Sequence, residues 1–340
     1  MAVWIFLVAP GVSYAEELDS WSQYQAQTLG DWNRYRNQEI DRWKEYQKVI
    51  SVKWGRDGVL PGKKVYAEYF SNNDVKIRID FEKGEIRIES LNPSRLSNES
   101  QARALIQKMV DQGILDPHEL KKGSQWSKKE DHIQGADGVQ RNRRTYLLPL
   151  NSNHLEIRER RYFPMVVKWS LKNEVDPAFV MAVIERESSF NPRARSWVPA
   201  YGLMQIVPEY AGAEILHEVP SEKFLYDPEN NIRVGTAYIK LLERGYFPEM
   251  KSGDQKRYLV TCSYNWGPHR IKRAIETGRI DPSESPKTLF QDLLTIVPAE
   301  TRGYLMGVTE SYGKFLDLLG RRAPASQASK DKVGAVESHE

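Results

Sequence analysis

One glutamate of this chain lies where a carboxyl group could act as an acid. Between Val180 and Pro192 the sequence reads VMAVIERESSFNP, and Val180, Val183, Ile184 and Glu187 follow the spacing of one helical face. Glu187 therefore continues an apolar stripe, where desolvation disfavours the charged carboxylate. A carboxyl group that keeps its proton near neutral pH is a candidate general acid.

The flanking residues predict where this helix begins and ends. Asp176 suits the N-cap, and the proline after it suits the first helical position. The pair Asn191 and Pro192 stops the helix. Glu185 lies about 200° around the helix from Glu187, and we expect it to face solvent. The pattern alone also allows a structural Glu187 that bonds a neighbouring backbone group or an arginine.

Composition limits the classes of function. A length of 340 residues favours two domains, and 40% apolar residues with 11% aromatics suffice for real cores. The net charge of +3, against 49 basic and 46 acidic residues, argues against nucleic acid as the main partner. The single cysteine, Cys262, excludes a disulfide framework, and the six histidines are scattered. We therefore expect no transition-metal site and no cofactor.

Residues 1–15 form a short apolar run that ends in Ser13-Tyr14-Ala15. The small residues at 13 and 15 suit a signal peptidase, and the run is too short to span a bilayer. We predict a signal peptide and an exported protein of the periplasm or cell envelope, although no Lys or Arg precedes the apolar core. A buried N-terminal strand is the alternative. No cysteine follows the run, so we do not expect the lipid attachment of bacterial lipoproteins.

An aromatic repeat dominates residues 16–55. The motif Trp-x-x-Tyr starts at Trp21, Trp32 and Trp43, every 11 residues. Because 11 residues make about three helical turns, the repeat predicts one long amphipathic helix over 16–55. Such a helix could pack along its own protein, pair with another helix, or lie on a membrane surface. Its polar face mixes acidic and basic residues, which weighs against the membrane.

Residues 56–152 alternate apolar and polar side chains and predict a small α+β module. Strands are predicted at 65–70, 75–81, 86–89 and 145–150, a helix at 97–113 and a polar loop at 121–144. Lys83-Gly84 marks a hairpin turn. The module contains no catalytic constellation, so we expect a packing or docking role. Alternatively, residues 16–150 form a docking arm for a cell-wall or envelope protein complex.

In residues 153–322 the spacing of apolar side chains becomes that of helices. Helices are predicted at 162–171, 176–190, 227–244, 257–265 and 298–319. Residues 323–340 are polar and without periodicity, which predicts a disordered tail. The expected fold class is therefore α+β, with a mainly α domain preceded by a long helix and a small α+β module.

Four short motifs follow one another along the helical half of the sequence. They are Glu187-Ser188-x-Phe190-Asn191, Gly202-Leu203-Met204-Gln205, Tyr264-Asn265-x-Gly267 and Glu300-Thr301-x-x-Tyr304. Together they resemble the catalytic domain of the soluble-type lytic murein transglycosylases, which have a lysozyme-like fold. The resemblance covers residues 155–322. The layout ahead of it resembles, more loosely, the membrane-bound lytic murein transglycosylase C family, without the lipid-anchoring cysteine expected there, which leaves membrane association open.

The resemblance implies a role for each motif. Glu187 matches the single catalytic acid. The residues that it implies for substrate binding are Ser188, Met204, Gln205, Tyr264, Asn265 and Tyr304. Gln205 would bond an N-acetyl group or a hydroxyl, and the Tyr304 hydroxyl would lie near the catalytic carboxyl. The alternatives are a Ser188 that bonds backbone, a Met204 in the core, and a buried Tyr264 with its hydroxyl satisfied.

The implied reaction cleaves the β-1,4 bond between N-acetylmuramic acid and N-acetylglucosamine in peptidoglycan glycan strands. Most glycosidases need two carboxyl groups, but here Glu187 would act as acid and then as base, closing a 1,6-anhydro ring without water. A goose-type lysozyme-like muramidase is the nearest alternative. It would need a further acid to steer water, and neither Glu209 nor Glu214 is singled out by the sequence. A non-catalytic peptidoglycan-binding or docking protein is the other alternative.

Overall fold

The structure of the chain is a computed structural model that describes residues 14–121, 123, 126–250 and 253–322. Side chains are described from residue 30, except those of residues 31 and 32, to residue 319. The predicted disordered tail, and all but the last two residues of the predicted signal peptide, lie outside the described residues.

The described residues form one antiparallel sheet, followed along the chain by a helical half, which confirms the α+β fold class. The strands are β1 (Val65–Phe70), β2 (Val75–Asp80), β3 (Glu85–Ser90), β4 (Ser127–Gln134) and β5 (Gln140–Pro149). The helices are α1 (Tyr14–Trp54), α2 (Glu99–Asp111), α3 (His154–Asn173), α4 (Pro177–Ser188), α5 (Ala213–Leu216), α6 (Glu222–Leu225), α7 (Pro228–Leu241), α8 (Asp254–Trp266), α9 (Pro268–Glu276), α10 (Pro286–Ile296) and α11 (Ala299–Arg322).

The sheet forms an accessory module together with α2. Its strand order is β1-β2-β3-β5-β4, and neighbouring strands run antiparallel. Ile77 pairs with Ile88 and Ile79 pairs with Ile86, so period-2 alternation places these isoleucines on one face. That face is fully buried in a core that includes Met109 of α2. The first three predicted strands are found within one residue of their predicted ends.

The predicted loop at 121–144 is wrong, because it contains β4 and half of β5. β4 has the sequence SKKEDHIQ and lies at the edge of the sheet, where nearly all its side chains are exposed. Charged residues suit an edge strand but erase the apolar alternation that would predict it. Cross-strand ion pairs help to hold it: the Arg144 guanidinium lies 2.8 Å from Glu130, and Arg143 lies 2.7 Å from Asp131.

The second half of α1 packs along its own protein. Trp43 and Trp54 are buried, and the Trp54 indole donates a hydrogen bond of 2.7 Å to the carbonyl of Asn73. The Tyr46 ring meets Tyr69 edge-on, with 6.4 Å between centroids. The side chains of Trp21, Tyr24 and Trp32 lie outside the described residues, whereas the Tyr35 hydroxyl of the second repeat lies 3.4 Å from the Tyr201 hydroxyl. Within the described residues, no helix combines the length and the apolar character needed to cross a bilayer.

The core of the helical half surrounds α4. Every residue from Ala178 to Ile184 is buried, so the helix has no solvent face opposite its apolar stripe. The expectation that Glu185 faces solvent is therefore wrong. Its side chain is 19% exposed, and its carboxylate accepts a hydrogen bond of 2.6 Å from the Lys314 ammonium of α11. Helix α11 covers the side of α4 that periodicity alone assigned to water.

Gly84 lies where the accessory module contacts the start of the helical half. Gly84, in the β2–β3 turn, has a φ of +66°, and its carbonyl accepts a hydrogen bond of 2.8 Å from the Leu150 amide. A Cβ atom there would lie 2.6 Å from Nε2 of His154, the first residue of α3. Gly138, in the β4–β5 turn, has a φ of +77° but has no atom within 4 Å of its Cβ position.

We predict that Gly84→Ala destabilises the protein more than Gly138→Ala. Both changes force an L residue into the left-handed region, at a cost of about 1–2 kcal/mol. Only Gly84→Ala also displaces His154, which adds about 1–3 kcal/mol of overpacking. Equilibrium denaturation measures both free energies of unfolding. Equal losses in the two variants would contradict a tight contact at this junction.

Candidate active site

Glu187 lies in the last turn of α4 and is 3% exposed. The helix starts as predicted, since the Asp176 carboxylate accepts a hydrogen bond of 2.8 Å from the Ala178 amide. It ends when Ser189 and Phe190 turn into the left-handed region, with φ values of 48° and 59°. The reversal turns the chain away just after the carboxylate.

The ion-pair partner of Glu187 comes from the accessory side of the molecule. Nζ of Lys63, in the segment between α1 and β1, lies 3.0 Å from Oε2 of Glu187. The Asn191 side chain donates a hydrogen bond of 3.1 Å to the carbonyl of Lys63, which fixes this segment beside the end of α4. Sequence patterns do not reveal Lys63, because the segment has no periodicity and the pair spans 124 residues.

Tyr304 of α11 is the second polar group beside the carboxylate. It is 6% exposed, and its hydroxyl lies close enough to the Glu187 carboxylate to interact with it as a hydrogen-bond donor. Burial and the nearby Glu187 carboxylate raise the pKa of the Tyr304 hydroxyl well above its usual value. The hydroxyl therefore stays protonated and available as a donor.

Gly307 permits the close approach of α4 and α11. A Cβ atom at Gly307 would overlap the guanidinium of Arg186, the residue before Glu187. Tyr304 lies one helical turn before Gly307 and so on the same face of α11. The packing that places Arg186 over the glycine therefore also sets Tyr304 beside Glu187.

The Gly202–Gln205 segment is held from behind by Asn231 of α7. The Asn231 amide accepts a hydrogen bond of 2.7 Å from the Met204 amide and donates bonds of 2.8 Å to the carbonyls of Tyr201 and Leu225. Asn231 is fully buried. Gly202 has a φ of +75°, and a Cβ atom there would overlap the Asn231 side chain. These bonds fix the backbone of the segment.

Gln205 and Met204 differ in what they offer a ligand. The Gln205 side chain donates a hydrogen bond of 3.1 Å to the carbonyl of Gly202, while its Oε1 is buried with no partner among the described residues. An unpaired buried acceptor costs about 1–3 kcal/mol, which a ligand donor would recover. Met204 is fully buried and packs against Gly235 in the core, the alternative position named for it above.

Three other residues that were predicted to bind substrate form hydrogen bonds between the elements around Glu187. The Ser188 hydroxyl donates hydrogen bonds of 2.8 Å to the carbonyl of Leu203 and 3.0 Å to that of Ile184. The Tyr264 hydroxyl donates a bond of 2.7 Å to the carbonyl of Met204. Asn265 accepts a bond of 2.6 Å from the hydroxyl of Thr301. These contacts join α4, the Gly202–Gln205 segment, α8 and α11, and direct contact of the three residues with substrate stays a prediction.

A further half-buried carboxyl group follows the Gly202–Gln205 segment. Desolvation raises the pKa of Glu209 to about 7, with a smaller contribution from Glu39 of α1. Its Oε2 has no hydrogen-bond partner among the described residues. Glu214, by contrast, accepts a hydrogen bond of 3.5 Å from the Tyr246 hydroxyl. Glu209 is therefore the stronger candidate for a second acid.

We predict that Gly307→Ala lowers both stability and activity. The added methyl group must push Arg186 away, at a cost of about 1–3 kcal/mol, and must shift Tyr304 relative to Glu187. A misplacement of about 1 Å can cost up to ~100-fold in rate, so we expect at least a tenfold loss of turnover.

Gly303→Ala is the matched control for this prediction. Gly303 is in the same helix and has no atom within 4 Å of its Cβ position, so alanine should stabilise the helix by about 1 kcal/mol without loss of turnover. Thermal unfolding and glycan cleavage measure both variants. Unchanged turnover in Gly307→Ala would show that helix spacing does not set the site.

Comparison with known proteins finds two sequence families in this chain. Residues 164–284 match the transglycosylase SLT domain. Residues 34–137 match the N-terminal domain of membrane-bound lytic murein transglycosylase C. The first match includes Glu187, Gln205 and Tyr264, and the second includes Lys63.

Among solved structures, the chain is similar to the 70-kDa soluble lytic transglycosylase SLT70 from Escherichia coli, with 27% identity and a TM-score of 0.39. The match covers 49% of this chain and 26% of that one. The lytic transglycosylase Slt from Pseudomonas aeruginosa gives 23% identity and a TM-score of 0.38, over 46% of this chain and 24% of that one. The chain thus spans about a quarter of the length of both.

Two curated relatives extend over most of the chain. Membrane-bound lytic murein transglycosylase C of Photorhabdus laumondii is 29% identical over 300 residues, covering 75% of this chain and 84% of the relative. The protein of that name from Yersinia pestis is 30% identical over 303 residues, covering 76% and 84%. With both halves matched in order, the chain is an enzyme that belongs to the lytic murein transglycosylases, in the family of membrane-bound lytic murein transglycosylase C.

Proposed function

We propose that this enzyme cleaves the β-1,4 bond between N-acetylmuramic acid and N-acetylglucosamine in peptidoglycan and leaves 1,6-anhydro ends. We propose that it does so in the periplasm or cell envelope. The observation that carries the proposal is a buried carboxyl group, Glu187, that meets the Lys63 ammonium at 3.0 Å and lies beside the buried hydroxyl of Tyr304. Binding of other envelope proteins through residues 16–150 stays a prediction.

Glu187 acts twice in the proposed reaction. Protonated, it donates to the glycosidic oxygen as the bond from that oxygen to C1 of the muramic acid breaks. The substrate's own 2-acetamido group stabilises the positive charge that develops at C1. The Glu187 carboxylate then takes the proton of the C6 hydroxyl as its oxygen bonds to C1. The acid is regenerated, no water is consumed, and one carboxyl group is enough.

The Lys63 contact supports the second half of this cycle. An ammonium 3.0 Å from Oε2 stabilises the carboxylate that remains after proton donation. The same pairing opposes the protonated form, so the acid step requires that the ammonium move away from Oε2. Lys63 is 37% exposed and belongs to an irregular segment, which gives its side chain room to move as a glycan strand enters.

We predict that Glu187→Gln abolishes glycan cleavage while the fold persists. The amide has the same shape but no acidic proton, and loss of proton transfer alone costs about 10²–10⁴-fold. Mass spectrometry of digested peptidoglycan counts the anhydromuramyl ends. Undiminished digestion by this variant would disprove the assignment of Glu187.

Glu185→Gln is the matched control. Glu185 lies in the same helical turn, but its carboxylate pairs with Lys314 of α11, whereas that of Glu187 pairs with Lys63. This variant should lose the ion pair and keep its activity. Parallel loss of activity in the two variants would indicate damage to α4 rather than loss of the acid.

One observation favours hydrolysis as a second activity. Glu209 is half-buried with an unpaired Oε2, so it can hold a proton or a water molecule near the Gly202–Gln205 segment. A carboxyl group that steers water would divert the reaction from anhydro closure to a reducing muramyl end.

We predict that Glu209→Gln lowers the yield of reducing ends without lowering the yield of anhydro ends. The same mass-spectrometric assay measures both yields in wild type and variant. Wild-type digests that contain mainly reducing ends would make the enzyme a muramidase. A variant that loses both products equally would show that Glu209 supports the groove rather than water.

A further inference from the structure

A cavity of about 600 Å³ lies between the accessory module and the catalytic helices. It is bounded by the end of α2, by α3, by the chain just after α4, and by the α6–α7 region. None of the substrate-binding residues implied by the four motifs lines it. Its position is nevertheless close to the catalytic acid, since Pro192 in its wall follows Asn191, whose side chain holds Lys63 beside Glu187.

Positive charge dominates the wall of this cavity. Arg161, Arg193 and Lys223 line it, and their side chains have no ion pair or hydrogen bond with any described residue. Asp227 is the one carboxylate among the lining residues, and it caps α7 by accepting a hydrogen bond of 2.9 Å from the Asn230 amide. Guanidinium groups on a concave surface are suited to bind an anion.

Local packing aims the two guanidinium groups at the cavity. Gly113 has a φ of +69°, and a Cβ atom there would lie 3.2 Å from a terminal nitrogen of Arg161. The glycine thus leaves room for that group at the wall. The guanidinium carbon of Arg193 lies 5.3 Å from the centroid of the Tyr226 ring, which also lines the cavity. Both arginines are half-buried, so little side-chain freedom is left to lose on binding.

We propose that this cavity binds the carboxylates of the short peptide that a peptidoglycan glycan strand carries. This proposal rests on peptidoglycan as the proposed substrate. The volume is large for a single inorganic anion and suits several peptide residues, and Pro192, Phe224 and Pro228 add apolar surface. Guanidinium groups bind carboxylates through two parallel hydrogen bonds. Pro192 in the cavity wall is five residues after Glu187, so at most about 18 Å separates their Cα atoms. The proposal therefore places the peptide in the cavity while the glycan that carries it lies at Glu187.

The test compares glycan strands that carry peptides with the same strands after an amidase has removed them. In the triple variant Arg161→Gln, Arg193→Gln and Lys223→Gln, kcat/KM on peptide-bearing strands should fall at least about tenfold, through KM, since each lost charge-assisted contact weakens binding. Cleavage of stripped strands should not change. Equal loss on both substrates, or no loss on either, overturns the proposal.

A matched variant controls for net charge. Lys272, Arg279 and Lys287 are exposed and lie away from the cavity, so their joint replacement by Gln removes the same charge without touching the wall. It should behave as wild type on both substrates. The milder change Arg193→Lys keeps the charge but loses the two-point contact, and should give an intermediate KM on peptide-bearing strands.

Direct binding separates this proposal from the catalytic one. The Glu187→Gln chain, with and without the triple change, is titrated with the free tripeptide L-Ala-D-Glu-diaminopimelate and with inorganic phosphate. Peptide binding that the triple change abolishes, with phosphate much weaker, supports the proposal. Peptide binding that the triple change leaves intact, or phosphate binding of equal strength, overturns it. If wild type cleaves neither strand, the proposed function fails, and this titration alone still decides the cavity.

Discussion

A buried carboxylate needs nearby groups that stabilise its charge. When its own helix is covered on nearly every side, those groups must come from other segments of the chain. Glu187 is in this position, because α4 is buried from Ala178 to Ile184 and water cannot solvate the charge. Lys63 supplies the opposite charge, and the Tyr304 hydroxyl lies on the other wall. Each comes from a distant part of the sequence. The fold therefore has to bring three separate segments together to build the surroundings of Glu187.

The accessory module takes part in this arrangement. Lys63 belongs to the segment that leads into β1, and the loop after α4 is tied to α1 by Arg195. The Arg195 guanidinium lies 2.7 Å from the Glu39 carboxylate and 4.4 Å from the Trp43 ring centroid. One repeat of the aromatic stripe therefore helps to position the loop after α4. A docking role for residues 16–150 is compatible with this internal one, since much of α1 presents exposed charged residues.

Periodicity and capping rules correctly predicted elements that depend on short stretches of sequence. Alternation placed the first three strands, and helical spacing with an N-cap placed α4 and set Glu187 apart. The same rules failed where tertiary contacts determine whether a segment forms a strand or whether a side chain is exposed. β4 was missed because an edge strand needs no apolar face, and Glu185 was misjudged because α11 covers it. The Lys63 pair could not be predicted at all, since no periodicity links residues so far apart in sequence. The unpaired oxygens of Gln205 and Glu209 can be identified only from the three-dimensional structure, because this requires the positions of the surrounding residues.

The fixing of the Gly202–Gln205 segment by Asn231 has a further consequence. Its three hydrogen bonds all involve a carboxamide, which is neither an acid nor a base near neutral pH. The backbone that would meet the sugar is therefore anchored by a group indifferent to acidity. The shape of the Gly202–Gln205 segment therefore does not depend on pH through this anchor.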